Sequence, residues 1–395
     1  MKAVNSLFAS LGTTIFTTMS ALAQAHGAVN LGQGFPEGLE PPGVIEAARR
    51  ALAEGPHQYP PMMGDPVLRQ ALARHEARFY DHAVNPDSEI MVTSGATEAL
   101  AAVLLALIDP GDEVIVLEPF YDSYLPVIRR AGATARLVRL APPAWDLPLP
   151  ALEAAFSPKT KLIVVNSPMN PCGKVFTAEE LALIGALARR HDAYVVCDEV
   201  YEHLVFDGQA HVPAITLPGL RERTVRIGSA GKTFSLTSWK VGYVIADAAL
   251  MPVLARAHQY LTFTTPTALQ RAVAWGLDQD DAYFDGLTRD MAARRDRLAQ
   301  GLSRLGMTVL PTAGTYFLIA DPRPLGLEGS DEAVCRTLTV EAGVTAIPVG
   351  AFHETAPASP LIRFCFAKRE TDLDEALARL ARFFERPRTP LQKSP

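Results

Sequence analysis

Residues 162–198 read LIVVNSPMNPCGKVFTAEELALIGALARRHDAYVVCD. A short β-branched run, LIVVN, is followed by a proline-rich turn, and residues 178–191 then carry a helical pattern before a second apolar run at 193–198. Strand, helix, strand at this spacing is a βαβ unit, whose crossover helix leaves the two strands parallel. Outward from it the rhythm repeats. Further candidate strands lie at 90–93, 113–117, 135–140, 225–228 and 241–246, with helical patterns at 98–108 and 124–131. The fold class is therefore α/β: a large domain, residues 46–282, with a mostly parallel sheet of about seven strands covered on both faces. The link 229–240 is too short for a comfortable crossover helix, so the last strand is expected to run antiparallel. Residues 283–395 carry sparser signals and are expected to form a smaller α+β domain. Residues 1–45 lack the βαβ rhythm, and 386–395 read as a Pro- and Lys/Arg-rich tail.

Composition excludes several classes. Hydrophobic residues make up 48% of the 395 and charged residues 20%, which is globular and not disordered. A net charge of −6 argues against a general nucleic-acid or anionic-membrane surface. No continuous apolar run approaches the roughly 18 residues that span a bilayer. Cys172, Cys197, Cys335 and Cys365 form no CxxC pair and sit in or beside apolar stretches, as reduced core thiols do. Ala21-Leu22-Ala23 imitates a signal-peptidase site, but the Ser- and Thr-rich stretch before it is no solid apolar h-region. A cytoplasmic location is expected.

In open α/β sheets, ligands bind at the carboxyl ends of the strands, so chemistry is sought there. In residues 229–243, SAGKTFSLTSWKVGY, Gly231-Lys232-Thr233 matches the end of a P-loop, but Arg226 stands where its first glycine belongs. Lys232, just after a strand and among small residues, suits an amine nucleophile toward a carbonyl, against the plainer reading of a surface lysine. TSGATEAL, from Thr93, leaves a strand and opens a helix, whose N–H groups and dipole suit an anion; a plain helix cap is the alternative. Asp198 ends an apolar strand where a buried carboxylate needs a cationic partner, and Tyr201 follows three residues later. Asp198, Glu199, Glu202 and His203 match no standard metal-ligand spacing, and no metal is expected. Asn170 lies between two prolines that suit an irregular turn with cis bonds and would hold its amide rigidly; a plain strand-ending turn is the alternative. Arg363 stands inside an apolar strand, where its planar fork suits either a carboxylate ligand or a structural ion pair. A lysine, a phosphate cradle, a carboxylate, a phenol, an amide and an arginine together fit pyridoxal 5′-phosphate chemistry on an amino acid.

The strings NLGQGFP, GATEAL, EPFYDSY, CDEVYEHLVF, SAGKTF, GTYFL, AIPV and LIRFCFAK span nearly the whole chain. Together they resemble the class I/II pyridoxal-phosphate aminotransferases of fold type I, nearest the methionine aminotransferase and kynurenine–oxoglutarate transaminase group. The resemblance implies that Lys232 holds the cofactor as an imine and moves the proton, that Asp198 pairs with the pyridinium nitrogen, and that Tyr201 and Asn170 bond the phenolic oxygen. It implies that Tyr121 stacks on the ring and that Gly95, Ala96, Thr97, Ser229 and Lys240 hold the phosphate. Tyr59 would reach the phosphate of a neighbouring subunit, which implies a homodimer with shared active sites. Gly34, Asn170 and Arg363 would bind the substrate carboxylate. Residues 1–45 would pack with the small domain and the active site, with Phe16, Thr17 and Met19, together with Tyr260 and Phe263, lining an apolar side-chain pocket. Lys240 replaces the arginine of many relatives, and Ser238 replaces the glycine usual before the tryptophan. The implied activity transfers the α-amino group of methionine, aromatic amino acids, kynurenine or glutamine to a 2-oxo acid by a ping-pong mechanism. A cysteine-S-conjugate β-lyase using the same lysine is the alternative.

Overall fold

The stretch 162–198 folds as a βαβ unit in the computed structural model, which describes residues 2–385 apart from 328, 358 and 359; the tail at 386–395 lies outside the described residues. The crossover helix Ala178–Arg190 starts at a reciprocal cap: the Thr177 hydroxyl accepts from the Glu180 N–H, and the Glu180 carboxylate accepts from the Thr177 N–H. By contacts the chain forms two units, one of residues up to 11, 39–290 and 313–315, the other of 12–38, 291–312 and 316 onward.

The larger unit holds a seven-stranded sheet made of β1 (Ile90–Thr93), β2 (Glu113–Glu118), β3 (Thr134–Arg139), β4 (Thr160–Asn166), β5 (Tyr194–Asp198), β6 (Thr224–Ser229) and β7 (Gly242–Ala246). Their order is β1-β7-β6-β5-β4-β2-β3. β7 is antiparallel to both its neighbours while the other pairs are parallel, as the short 229–240 link requires. Alternation along the strands feeds two cores. Val244 and Ala246 join the helix Gly95–Leu107 on one face, and Tyr243 and Ile245 join Leu68, Leu72 and Phe234 on the other. Covered on both faces, these strands read as continuous apolar runs. The edge strand β3 alternates exposed and partly buried residues along most of its length.

The smaller unit has an antiparallel sheet of four strands, in the order Ile347–Pro348, Ile362–Cys365, Phe317–Asp321, Thr308–Val309. The helix Asp281–Arg304 starts where the sequence pattern changes, and the chain passes to this unit after Asp290. The helix Ile15–His26 is capped by Thr14 and ended by Gly27 at φ 58°, and buries Met19 and Ala23. Met19 is fully buried in that unit's packing, while Thr17 is exposed. Among the described residues, Ser6–His26, of mean hydropathy 1.3, is long and apolar enough to cross a membrane by length and composition alone. Gly12 and the threonines around it interrupt the apolar run while the average stays high, and the segment is folded as two helices, Ser6–Ser10 and Ile15–His26.

Candidate active site

In the larger unit the chemistry-bearing residues collect at the carboxyl ends of the parallel strands, where backbone direction places them. Asp198 is the last residue of β5 and is buried. Its backbone carbonyl accepts from Asn166 Nδ2 at 2.8 Å and from the Ser167 N–H at 3.1 Å. Its Oδ2 accepts from the Tyr124 hydroxyl at 2.6 Å, whereas Oδ1 has no hydrogen-bond partner among the described residues. Burial pushes the carboxyl up to about 6; the Tyr124 hydroxyl, the Val200 N–H and the Lys232 charge oppose that rise.

Lys232 lies in the single helical turn Ala230–Thr233 directly after β6, its Nζ 5.7 Å from the centre of the buried Tyr201 ring. Ser229 is the final residue of β6 and is buried. The turn after β4 contains cis peptides at Ser167-Pro168 and Asn170-Pro171, and the Asn170 N–H donates to Asn166 Oδ1 at 2.8 Å. Tyr121 meets Tyr124 edge-on, with ring centres 6.0 Å apart.

The helix Gly95–Leu107 presents its first turn beside these residues' strands, and the N–H groups of such a turn have no partners within the helix. Gly95 adopts φ 76°, and a Cβ there would stand 3.3 Å from Lys240 Cε and 3.5 Å from its Nζ. The lysine's ammonium group thus lies over the positive end of the helix dipole, an arrangement that makes sense for an anion held between them. Gly242 permits the close approach, because a Cβ there would stand 2.6 Å from the Gly95 carbonyl carbon and 2.7 Å from the Ala96 nitrogen. Tyr59 is 81% exposed, with its ring edge-on to Phe263, and Tyr260 is also exposed.

In the smaller unit Arg363 is buried within Ile362–Cys365. Its guanidinium carbon lies 3.8 Å from the Phe317 ring centre, 4.9 Å from Phe352 and 5.4 Å from Phe16, and Nη2 donates to the Gly32 carbonyl at 3.0 Å. The Gly34 carbonyl accepts from the Tyr316 hydroxyl at 2.7 Å, and a Cβ at Gly34 would collide with Phe317 at 2.8 Å. Aromatic faces hold the cation by its charge and leave its planar fork suited to a carboxylate.

Two features escaped the reading of the sequence. Tyr124 lies in EPFYDSY, but its partner is 74 residues away. Arg226, fully buried on β6, binds three carboxylates, those of Glu76, Glu202 and, at 2.6 Å, Glu199. Tyr80 and Tyr243 donate to Glu202, His82 meets Glu76 at 3.0 Å, and His211 meets Glu199 at 3.0 Å. Burial pushes Glu202 up, but Arg226, His75, His203 and the Tyr243 hydroxyl together outweigh it, so that carboxyl stays well below its usual range; burial, helped by the charges of His75, Arg226 and His211 and opposed by Glu202, pushes His203 down to about 3. The knot fastens residues 199–203, which carry Tyr201, to the strand leading to Ser229 and Lys232. It also separates the acidic residues near Asp198. Glu199 and Glu202 serve Arg226, and His203 bonds His75 at 2.7 Å. His75, Glu202 and His203 offer ligand atoms within 4.8 Å, but both Glu202 oxygens are taken by Tyr80, Tyr243 and Arg226, so the group is a hydrogen-bonded network.

A sequence profile of the aminotransferase class I and II family matches residues 27–380. The chain is 46% identical to a protein from Mycobacterium tuberculosis named as a probable N-succinyldiaminopimelate aminotransferase, over 95% of this chain and 98% of that one. It is 38% identical to mouse kynurenine–oxoglutarate transaminase 3, over 93% and 87%. The solved structure of a methionine aminotransferase from Escherichia coli superposes with a TM-score of 0.94 at 40% identity, covering 97% of this chain and 100% of that one. The chain belongs to the class I and II aminotransferase family, pyridoxal-phosphate-dependent transaminases that act on amino acids and oxo acids.

Proposed function

We propose that this aminotransferase takes amino donors with an apolar or aromatic side chain, such as methionine, aromatic amino acids or kynurenine, with glutamine as a further donor. The observation that carries the reading is the phenylalanine cage of Arg363, with Phe16 contributed by a segment, residues 12–38, that contains no lysine or arginine. N-succinyldiaminopimelate has two carboxylates beyond the one at its reacting carbon, and these would call for further cations. The 46% identity to the mycobacterial protein favours that substrate as a second reading.

The residues fit the cofactor. Asp198 Oδ1 is a buried acceptor without a partner, and the Gly95–Lys240 cradle has the charge and backbone geometry for a phosphate. Pyridoxal phosphate, when bound, supplies an electron sink for the substrate's α-carbon. Lys232 would hold the cofactor and carry the proton to and from that carbon. Asp198 would keep the ring nitrogen protonated, Tyr201 and Asn170 would bond the phenolic oxygen, and Tyr121 would stack on the ring. Gly95, Ala96, Thr97, Ser229 and Lys240 gather the phosphate. Within the smaller unit, Arg363 and the Gly34 backbone would hold the substrate carboxylate. The exposure of Tyr59 supports a homodimer in which it reaches the partner's phosphate. The four buried thiols, none in a disulfide, support a cytoplasmic location.

The test is kcat/KM for methionine, phenylalanine, kynurenine, glutamine and N-succinyldiaminopimelate with a common oxo-acid acceptor. Methionine or an aromatic donor at least about tenfold above N-succinyldiaminopimelate supports the proposal, a margin typical of apolar pocket discrimination; the reverse order overturns it. Pyruvate and ammonia released from a cysteine conjugate without acceptor would mark β-lyase activity.

A further inference from the structure

We propose that Tyr124 is a positioning residue for Asp198: by donating its hydroxyl to Oδ2 it keeps the carboxylate charged and turns Oδ1 toward the cofactor's ring nitrogen. The proposal rests on the role given to Asp198 above. Three observations support it. The main chain of Asp198 is fixed, since its backbone carbonyl is held by Asn166 and Ser167, so only the side chain can turn. The Tyr124–Oδ2 bond is short, at 2.6 Å, and both residues are buried, so no water competes for it. The two oxygens are unequal: Oδ2 is engaged, and Oδ1 is the orphan.

The surroundings give the bond its purpose. A carboxylic acid in this much burial tends to hold its proton, and Asp198 is pushed up to about 6 even with the hydroxyl present. Burial and the charge of Asp198 push Tyr124 well above its ordinary value, so it remains a donor whenever Asp198 is charged. The other titratable groups facing the pair are Tyr121 beside Tyr124, Glu199 and Tyr201 from the segment after β5, Lys232 from the turn after β6, and the neighbouring Cys197. Of these, Lys232 favours the charged form and Glu199 opposes it. A hydrogen bond to a charged acceptor shifts such a group by roughly one to two pKa units, so removing the hydroxyl should raise Asp198 by that much.

The experiment is equilibrium dialysis of the full-length holoenzyme against pyridoxal phosphate from pH 5 to pH 9, for wild type and Tyr124→Phe, with circular dichroism to confirm folding. The wild type should lose affinity as the pH falls through the Asp198 transition. Tyr124→Phe should move that midpoint up by about one to two units, weakening binding roughly 10- to 100-fold on the acid side and little above the new midpoint. Tyr124→3-fluorotyrosine, a stronger donor of the same shape, should move it down. In an Asp198→Asn background neither replacement should move it.

A loss of affinity that is equal at every pH would overturn the proposal, because it would mean that Tyr124 only packs. An undiminished shift in the Asp198→Asn background would overturn it too, by placing the effect on another group. If Asp198→Asn alone leaves binding and its pH dependence unchanged, the role of Asp198 falls and the proposal falls with it.

Discussion

Asp198 should cost the cofactor-free protein stability, and that cost can be measured. Its carboxyl rises from an ordinary 3.8 to about 6, mainly through burial. Between those values the folded state binds the proton more tightly than the unfolded state, so stability present in acid is lost as the pH rises from about 4 through 6. The rise is roughly two units, and at 1.36 kcal/mol per unit the buried charge costs about 3 kcal/mol at pH 8. Asp198→Asn removes the charge and keeps the shape, so the cofactor-free variant should gain up to about 3 kcal/mol at pH 8 and almost nothing at pH 4. With an unfolding entropy of roughly 2.1 cal/mol/K per residue, that is a rise of about 3–4 °C in Tm. Thermal melts of cofactor-free wild type and variant at both pH values are the assay. Saturating pyridoxal phosphate should reverse the ranking, because it stabilises the state that binds it in proportion to affinity. A variant no more stable than wild type at pH 8, or equally stabilised at pH 4, would refute the reasoning.

Arg226→Met leaves three buried carboxylates without their cation and should cost roughly 3–5 kcal/mol of stability, read by denaturant unfolding. Gly242→Ala pushes a methyl into the Gly95–Ala96 backbone and should cost about 1–3 kcal/mol while weakening cofactor retention, measured by dialysis. Arg363→Met should lower kcat/KM for amino donor and oxo acid by about a hundredfold or more with cofactor retention unchanged, in steady-state kinetics with a parallel dialysis.

The large sheet was legible because its physics is local. Strands buried on both faces are written as unbroken runs such as Leu162–Asn166 within β4, and the short 229–240 link already required β7 to turn back. Two-residue strands such as Val344–Thr345 and Ile347–Pro348 were not, because pairing with a neighbouring strand defines them and their own pattern does not. The placement of Lys232 and Asp198 at strand ends was legible from the apolar runs before them. Tyr124 was not, since a tyrosine at the start of a helix becomes special only when Asp198 folds against it. Arg226 could have been found: like Arg363 it is an arginine inside an apolar strand, and a buried guanidinium demands acidic partners. Glu76, 150 residues away, was beyond any local pattern. At the N-terminus, the Ser- and Thr-broken stretch showed no continuous apolar run, and the Thr14 cap and Gly27 stop define a helix whose buried residues are Met19 and Ala23.

The account turns on which of the eight lysines carries the cofactor. Borohydride reduction of the purified holoenzyme, followed by peptide mass mapping, fixes pyridoxal phosphate to the lysine that holds it. The account requires the added mass on the peptide containing Lys232, with the other lysines unmodified and no labelling after treatment of Lys232→Ala. Labelling at Lys240, at Lys174 or at no lysine would contradict it.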